Sequence, residues 1–255
     1  MPGVKFTTLA AMDPAVTEDR LLDGKVRLLQ PEAGYRAAID PVLLAAAVAA
    51  AAGERVLDAG SGAGAASLCL AWRCPDISIK GIEFDPQAVA LARRNIALNE
   101  LTGRVEAILG SIAAPPPALA GGGFDQAMAN PPYQADGTRP ADPGRAAAHI
   151  EGDLGLAEWV LACLALLRPK GTLTLIHRAD RLDALLTALH GKAGEVAILP
   201  LWPMDGRPAK RVLVRARKGV RGPASLLPGL VLHRADGRYT PAAEAILRDG
   251  KGLEF

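Results

Sequence analysis

The feature that constrains this chain most is a strand that runs straight into a glycine-rich turn. Arg55-Val-Leu-Asp58-Ala-Gly60-Ser-Gly62-Ala-Gly64 is a β-rich run followed by three glycines at alternate positions and then a helical stretch. Glycines there let the backbone take left-handed conformations and approach a ligand closely, with N–H groups aimed at it. A fold with strands feeding helices is required, and the end of that strand becomes a candidate nucleotide-type site. The spacing is G-x-G-x-G, not G-x-G-x-x-G, with Asp58 two positions before the first glycine. No Gly-Lys-Ser/Thr follows as a phosphate loop would require.

The text around the turn repeats the same alternation. Strands are expected at Arg55–Ala59, Ser78–Glu83, Val105–Gly110, Phe124–Ala129, Thr172–His177, Val196–Leu201 and Arg211–Arg217. Helical stretches separate them. One covers Pro86–Leu101 with Asp85 as cap; another covers Leu154–Leu167, capped by Asp153 and stopped by Arg168-Pro169-Lys170-Gly171; a third runs from Arg181 to His190. The expected architecture is α/β: seven strands, mostly parallel, with helices on both faces. Arg20–Leu29 reads as a hairpin outside this core, closed by a two-residue Asp23-Gly24 turn, and Leu230–Thr240 as a second hairpin followed by a short helix from Pro241. Residues 1–34 are therefore expected to form an N-terminal extension, 35–218 the main domain, and 219–255 a C-terminal extension.

Composition excludes several classes. Half of the 255 residues are hydrophobic and 22% are charged, which suits a globular protein and not a disordered one. The longest apolar run, Val42 to Ala52, is eleven residues, against the roughly 20 that a membrane helix needs. With no signal-peptide pattern, a cytoplasmic location and no membrane partner are expected. Three cysteines, at 69, 74 and 163, cannot all pair and have no histidines at zinc spacing, so reduced thiols and no metal are expected. The net charge of +2 hides an asymmetry: the chain from Pro200 onward carries +6 and the rest −4, with seven basic residues against one acidic in Asp205–Arg221. Such a segment attracts an anionic polymer such as RNA, or is a solvated strand edge guarded by charge.

Two further sites agree with the glycine turn. Gly81-Ile-Glu83 ends the next strand about 20 residues beyond the glycines, where a carboxylate can accept both hydrogens of a ribose diol. Asp85 is explained by helix capping. The fourth strand ends in Asn130-Pro131-Pro132-Tyr133. The prolines stiffen the backbone, holding the Asn130 amide and the next carbonyl as acceptors, while Tyr133 offers a flat stacking face. A planar substrate bearing an NH₂ group fits: two acceptors pulling on its hydrogens favour a pyramidal nitrogen whose lone pair is free for in-line attack. The loop from Gln134 to Ile150 is expected to be a substrate flap, with Arg139, Arg145 and His149 able to meet phosphate or base. His177, His190 and His233, and the tryptophans, read as packing residues, with stacking on RNA left open for Trp202.

Together, Asp58-Ala-Gly60-Ser-Gly62, Glu83 and Asn130-Pro-Pro-Tyr133 resemble the class I S-adenosylmethionine-dependent methyltransferases that methylate amino groups, a Rossmann-like fold. Gly34-Tyr35-Arg36, Asp40-Pro-Val-Leu-Leu44, Leu173-Thr-Leu-Ile-His177-Arg-Ala-Asp180-Arg181 and Gly206-Arg-Pro-Ala-Lys-Arg211 are similar to the bacterial family acting on an anticodon-loop adenine of valine tRNA. The resemblance implies S-adenosylmethionine as cofactor, S-adenosylhomocysteine as product, and tRNA or another structured RNA as partner. It implies Asp58, Gly60 and Gly62 at the methionine end, Glu83 on the ribose, Tyr35 and Asp40 in an upstream segment closing over the cofactor, and Asn130 touching both cofactor and amine. The Pro131 carbonyl would accept from the amine and Tyr133 would stack on the base; Lys210 and Arg211 join Arg139 and Arg145 as RNA contacts. Many relatives carry an aspartate near the adenine where this chain has Ser111. Guanine N2 in rRNA, a protein glutamine amide, and RNA binding without catalysis remain as alternative functions.

Overall fold

The computed structural model describes residues 15–33, 36–132 and 154–255. Tyr35, Tyr133, Arg139, Arg145, His149 and the expected cap Asp153 lie outside these residues. The strands are β1 (Val16–Leu21), β2 (Val26–Pro31), β3 (Arg55–Ala59), β4 (Ser78–Glu83), β5 (Val105–Leu109), β6 (Phe124–Ala129), β7 (Leu167–Arg178), β8 (Ala193–Met204), β9 (Arg211–Lys218), β10 (Ser225–Leu226) and β11 (Leu230–His233). The α-helices are α1 (Asp40–Ala47), α2 (Ala65–Arg73), α3 (Pro86–Leu98), α4 (Pro117–Ala120), α5 (Leu156–Leu166), α6 (Leu182–Leu189) and α7 (Pro241–Leu247).

The seven expected strands form one sheet in the order β5-β4-β3-β6-β7-β9-β8, and β10 and β11 both add to the far edge of β8. The strands from β5 through β7 are parallel, and β9 lies antiparallel to both of its neighbours. Strand order reverses between β3 and β6, the crevice where such sheets place ligands. Alternate side chains of β3 enter different cores: Val56 packs with α1, α2 and α3, and Leu57 with α4, α5 and α6. Burial on both faces is why these strands read as near-continuous apolar runs.

Some boundaries differ from expectation for physical reasons. The N-terminal hairpin pairs Leu21 with Val26, so its loop has four residues and not two. Leu22 is turned inward to only 2% exposure and joins the core beside Val26 and Leu28, with positive φ at Leu22, Asp23 and Gly24. Arg168-Pro-Lys-Gly171 does not simply stop α5: β7 already begins at Leu167, paired with Phe124, and an irregularity in the pairing follows with Lys170 at φ 63. In place of Asp153, α5 has Gly155 at its N-cap, whose N–H donates to Glu158 Oε2 at 2.9 Å. Near the C-terminus, β11 pairs in parallel with β8, and the expected hairpin is completed by a bridge between His233 and Tyr239.

Candidate active site

The carboxyl ends of β5, β4, β3 and β6 lie side by side and bring most of the expected residues into one row. Strand register places Ala59 beside Ala129 and beside Ile82, so Gly60 follows next to Asn130 on one side and Glu83 on the other. Ser111 follows β5 beyond Glu83. Three strand intervals make this row about 14 Å wide, a span that suits an elongated nucleoside ligand.

The glycine turn is built as the sequence requires. Gly60, Gly62 and Gly64 have φ of 69, 55 and 92°. A Cβ on Gly60 would meet Trp159 of α5 at 2.8 Å, whereas one on Gly62 would meet nothing within 4 Å. The turn is thus packed from below and open above. Glu83 holds it: Oε2 accepts from the Gly62 N–H at 2.9 Å, and Oε1 accepts from the N–H groups of Phe84 and Asp85 at 2.9 and 3.0 Å. Burial raises the Glu83 pKa, and these three backbone donors counter it. Three of roughly four acceptor positions are filled, which leaves limited capacity for a ribose hydroxyl.

Asp58 is also buried, and its Oδ2 accepts from Ser67 Oγ at 2.6 Å. Its pKa is pushed up to about 6, first by burial, against the hydrogen bonds from Ser67 and with a smaller contribution from Glu83. Asp58 therefore ties the strand end to α2. The Ser111 hydroxyl accepts from the Ala113 N–H at 3.2 Å, a local turn contact. Asn130 and Pro131 leave β6 at the crevice, Asn130 partly buried and Pro131 buried.

Asp40 and Arg211, expected on the cofactor and RNA sides respectively, meet each other: Arg211 Nε donates to Asp40 Oδ2 at 3.0 Å, tying α1 to β9. Lys210 is exposed beside them. The basic segment is divided by its own strand. Arg207, Lys210 and Arg211 lie at the site end of β9, whereas Arg217 and Lys218 lie at the opposite end, with Arg217 bound to Glu195 and Lys218 donating to the Leu167 carbonyl.

Four residues went unrecognised in the sequence. Phe84 is a large apolar side chain left 37% exposed directly after Glu83. Trp159 floors the turn, and its indole nitrogen, like the Ser61 hydroxyl, is buried with no hydrogen-bond partner among the described residues. His177 is buried beside Pro131 at the end of β7; burial, with the nearby Arg181 and Arg178 charges, lowers its pKa, against backbone hydrogen bonding from Arg178 and, less, Pro132. His177 stood in the family-like run Leu173–Arg181 without a role, and the parallel pairing of β6 with β7 brings it to the site. Nothing in residue spacing singled out the others. Among the described residues no group of three or more His, Cys, Asp or Glu is placed to hold a metal ion, and no helix is long and apolar enough to cross a membrane.

S-adenosylmethionine fits these residues. The space above Gly62 is open, the turn carries the buried Ser61 hydroxyl with no hydrogen-bond partner among the described residues, and the Glu83 carboxylate closes the neighbouring strand. A model of the methyltransferase small domain matches residues 38–149. A solved structure from Agrobacterium tumefaciens, described as a "predicted O-methyltransferase", superposes with a TM-score of 0.70 at 24% identity, covering 84% of this chain and 98% of its own, which supports the fold. Fold and site define a class I S-adenosylmethionine-dependent methyltransferase. Among curated relatives, the tRNA1(Val) (adenine(37)-N6)-methyltransferase of Aeromonas hydrophila is 33% identical over 79% of this chain and 84% of its own length. The Porphyromonas gingivalis protein of the same name is 30% identical, covering 74% and 76%. The chain belongs to the tRNA1(Val) (adenine(37)-N6)-methyltransferase family.

Proposed function

We propose that this protein methylates the exocyclic N6 of an adenine in a tRNA anticodon loop. The observation that carries the reading is the placement of Asn130 and Pro131 at the carboxyl end of β6, next to the glycine turn, in a chain of this family. The cofactor supplies an electrophilic methyl group on a sulfonium. The Asn130 side chain and Pro131 carbonyl accept the two amine hydrogens, which keeps the nitrogen lone pair available and directed towards the methyl. Glu83 and the turn fix the donor, so positioning provides most of the rate. Tyr133 stacks on a base splayed from the loop, cheaper to expose than a paired one. Arg139, Arg145, Lys210 and Arg211 meet the RNA backbone, and a tRNA substrate places the reaction in the cytoplasm.

The test supplies labelled S-adenosylmethionine to total RNA and, separately, total protein from cells lacking this gene. Label in a methyladenosine of the tRNA fraction is the expected result. Label in protein glutamine overturns the substrate, since the same acceptors suit any planar NH₂. Asn130→Ala is expected to reduce transfer by at least about a hundredfold while S-adenosylhomocysteine binding, read by calorimetry, is retained.

A further inference from the structure

An asparagine inside a helix is unfavourable, because its amide competes with the backbone. Helix α3 and its C-cap carry two, at i and i+4, and neither amide is turned to solvent alone. Asn95 is fully buried: its Oδ1 accepts from the Leu29 N–H at 2.7 Å, and its Nδ2 donates to the Leu29 carbonyl at 3.0 Å. Asn99 does the same to Arg27, with Oδ1 accepting at 2.9 Å and Nδ2 donating at 2.7 Å. The match is geometric. Four helical residues rise about 6 Å, and two strand residues about 6.7 Å. The two amides therefore stand in for a neighbouring strand along the edge of β2.

The two differ in where the remaining amide hydrogen goes: Asn99 Nδ2 donates back into its own helix, to the Asn95 carbonyl at 2.7 Å. The second Nδ2 hydrogen of Asn95 reaches the Ala63 carbonyl at 2.9 Å, inside the Gly60–Gly64 turn. The next residue of β2, Gln30, is 3% exposed and grips the segment entering α1: Oε1 accepts from the Ala37 N–H at 2.7 Å, and Nε2 donates to Asp19 Oδ2 at 2.7 Å. Arg36 pairs with the same Asp19 and donates to Thr17 Oγ1 at 2.7 Å. Consecutive residues of β2 thus hold the donor turn and the chain ahead of Asp40.

We propose that the β1–β2 hairpin is a positioning frame for the methyl donor, with Asn95 as the residue that couples the hairpin to the cofactor turn. The inference rests on the cofactor assignment and adds to it that donor affinity depends on the docking of a hairpin that is no part of the central sheet. Coupling is reciprocal: if a docked hairpin favours cofactor binding, bound cofactor must favour a docked hairpin. A purely structural asparagine has no such property.

The test compares Asn95→Ala with Asn99→Ala. Each variant removes a pair of hydrogen bonds to β2 and one more, which goes to the Ala63 carbonyl for Asn95 and to the helix's own Asn95 carbonyl for Asn99. By calorimetry, Asn95→Ala is expected to weaken S-adenosylhomocysteine binding about tenfold, within the usual range of coupling, with Asn99→Ala within about twofold of wild type. Hydrogen exchange provides the second measurement. Saturating S-adenosylhomocysteine is expected to slow exchange across Val26–Pro31 in wild type and Asn99→Ala, and to leave it unchanged in Asn95→Ala. Equal affinities of the two variants overturn the proposal. So does wild-type exchange in Val26–Pro31 that ignores bound ligand, a readout that holds even where Asn95→Ala does not fold. Failure of the wild type to bind S-adenosylhomocysteine would instead overturn the cofactor assignment.

Discussion

Asp58 shows how a residue legible in the sequence takes on a different load in three dimensions. Two positions before Gly60, it marks the glycine turn by spacing, yet its carboxylate is spent on Ser67 and enclosed. A carboxyl whose folded pKa is raised from 3.8 to about 6 binds its proton more tightly in the folded state. Stability then falls as pH rises through that window, and the cost is complete above about 6, at roughly 3 kcal/mol by linkage. Asp58→Asn removes this dependence. Urea unfolding of both proteins is expected to show the stability difference, variant minus wild type, shifting by roughly 1 kcal/mol in favour of the variant between pH 5 and pH 7. Glu83 acts in the same direction and His177 in the opposite one, since a buried neutral imidazole loses stability as pH falls. Both remain in each protein and largely cancel in the difference. A pH-independent difference overturns the assignment. Glu83 was equally visible in the sequence, but its role as the clamp on the Gly62 N–H was not, because spacing gives position and not hydrogen-bond direction.

Elements were legible where local signals and tertiary pairing agree. Arg55–Ala59, Ser78–Glu83 and Phe124–Ala129 have the expected bounds because each is an interior parallel strand, and the chain turns away just beyond it at Gly60, Asp85 and Asn130. Helix α3 starts where Asp85 and Pro86 place it, with Asp85 Oδ1 accepting from the Gln87 N–H at 2.9 Å. Capping explains this carboxylate, whose backbone N–H to Glu83 survives truncation. Asp85→Ala is expected to cost about 1 kcal/mol of stability and to leave S-adenosylhomocysteine affinity within about twofold of wild type, by urea unfolding and calorimetry. A tenfold loss of affinity would assign Asp85 to the donor site. Where partners are remote in sequence, local reading stops short. Leu167–Lys170 joins β7 because Phe124 pairs with Leu167, and Leu22 enlarges the hairpin loop because the core receives its side chain. Neither partner is signalled by neighbouring residues.

Across the whole molecule, the excess of positive charge after Pro200 was visible as composition, but its division was not. Strand β9 carries it through the sheet, separating Arg211 from Lys218 by about 24 Å. At the far end Arg217 pairs with Glu195, and Arg215 lies against the Phe255 ring at 4.7 Å, so much of that charge is committed to structure. Arg207 and Lys210 are exposed at the end where Asn130 leaves the sheet. If RNA is the substrate, location and not total charge must decide affinity. Two double variants separate these causes: Arg207→Ala with Lys210→Ala at the site end, and Lys192→Ala with Arg221→Ala, exposed at the opposite end. Each pair removes the same charge. Only the first is expected to weaken tRNA binding several-fold and to reduce the slope of log K against log salt, by about 0.7 to 0.9 for each phosphate that is no longer neutralised. Equal slopes in the two pairs would mean that the anion responds to net charge alone. A weakening confined to the second pair would place the RNA on the face opposite the methyl donor, where Asn130 cannot reach its base.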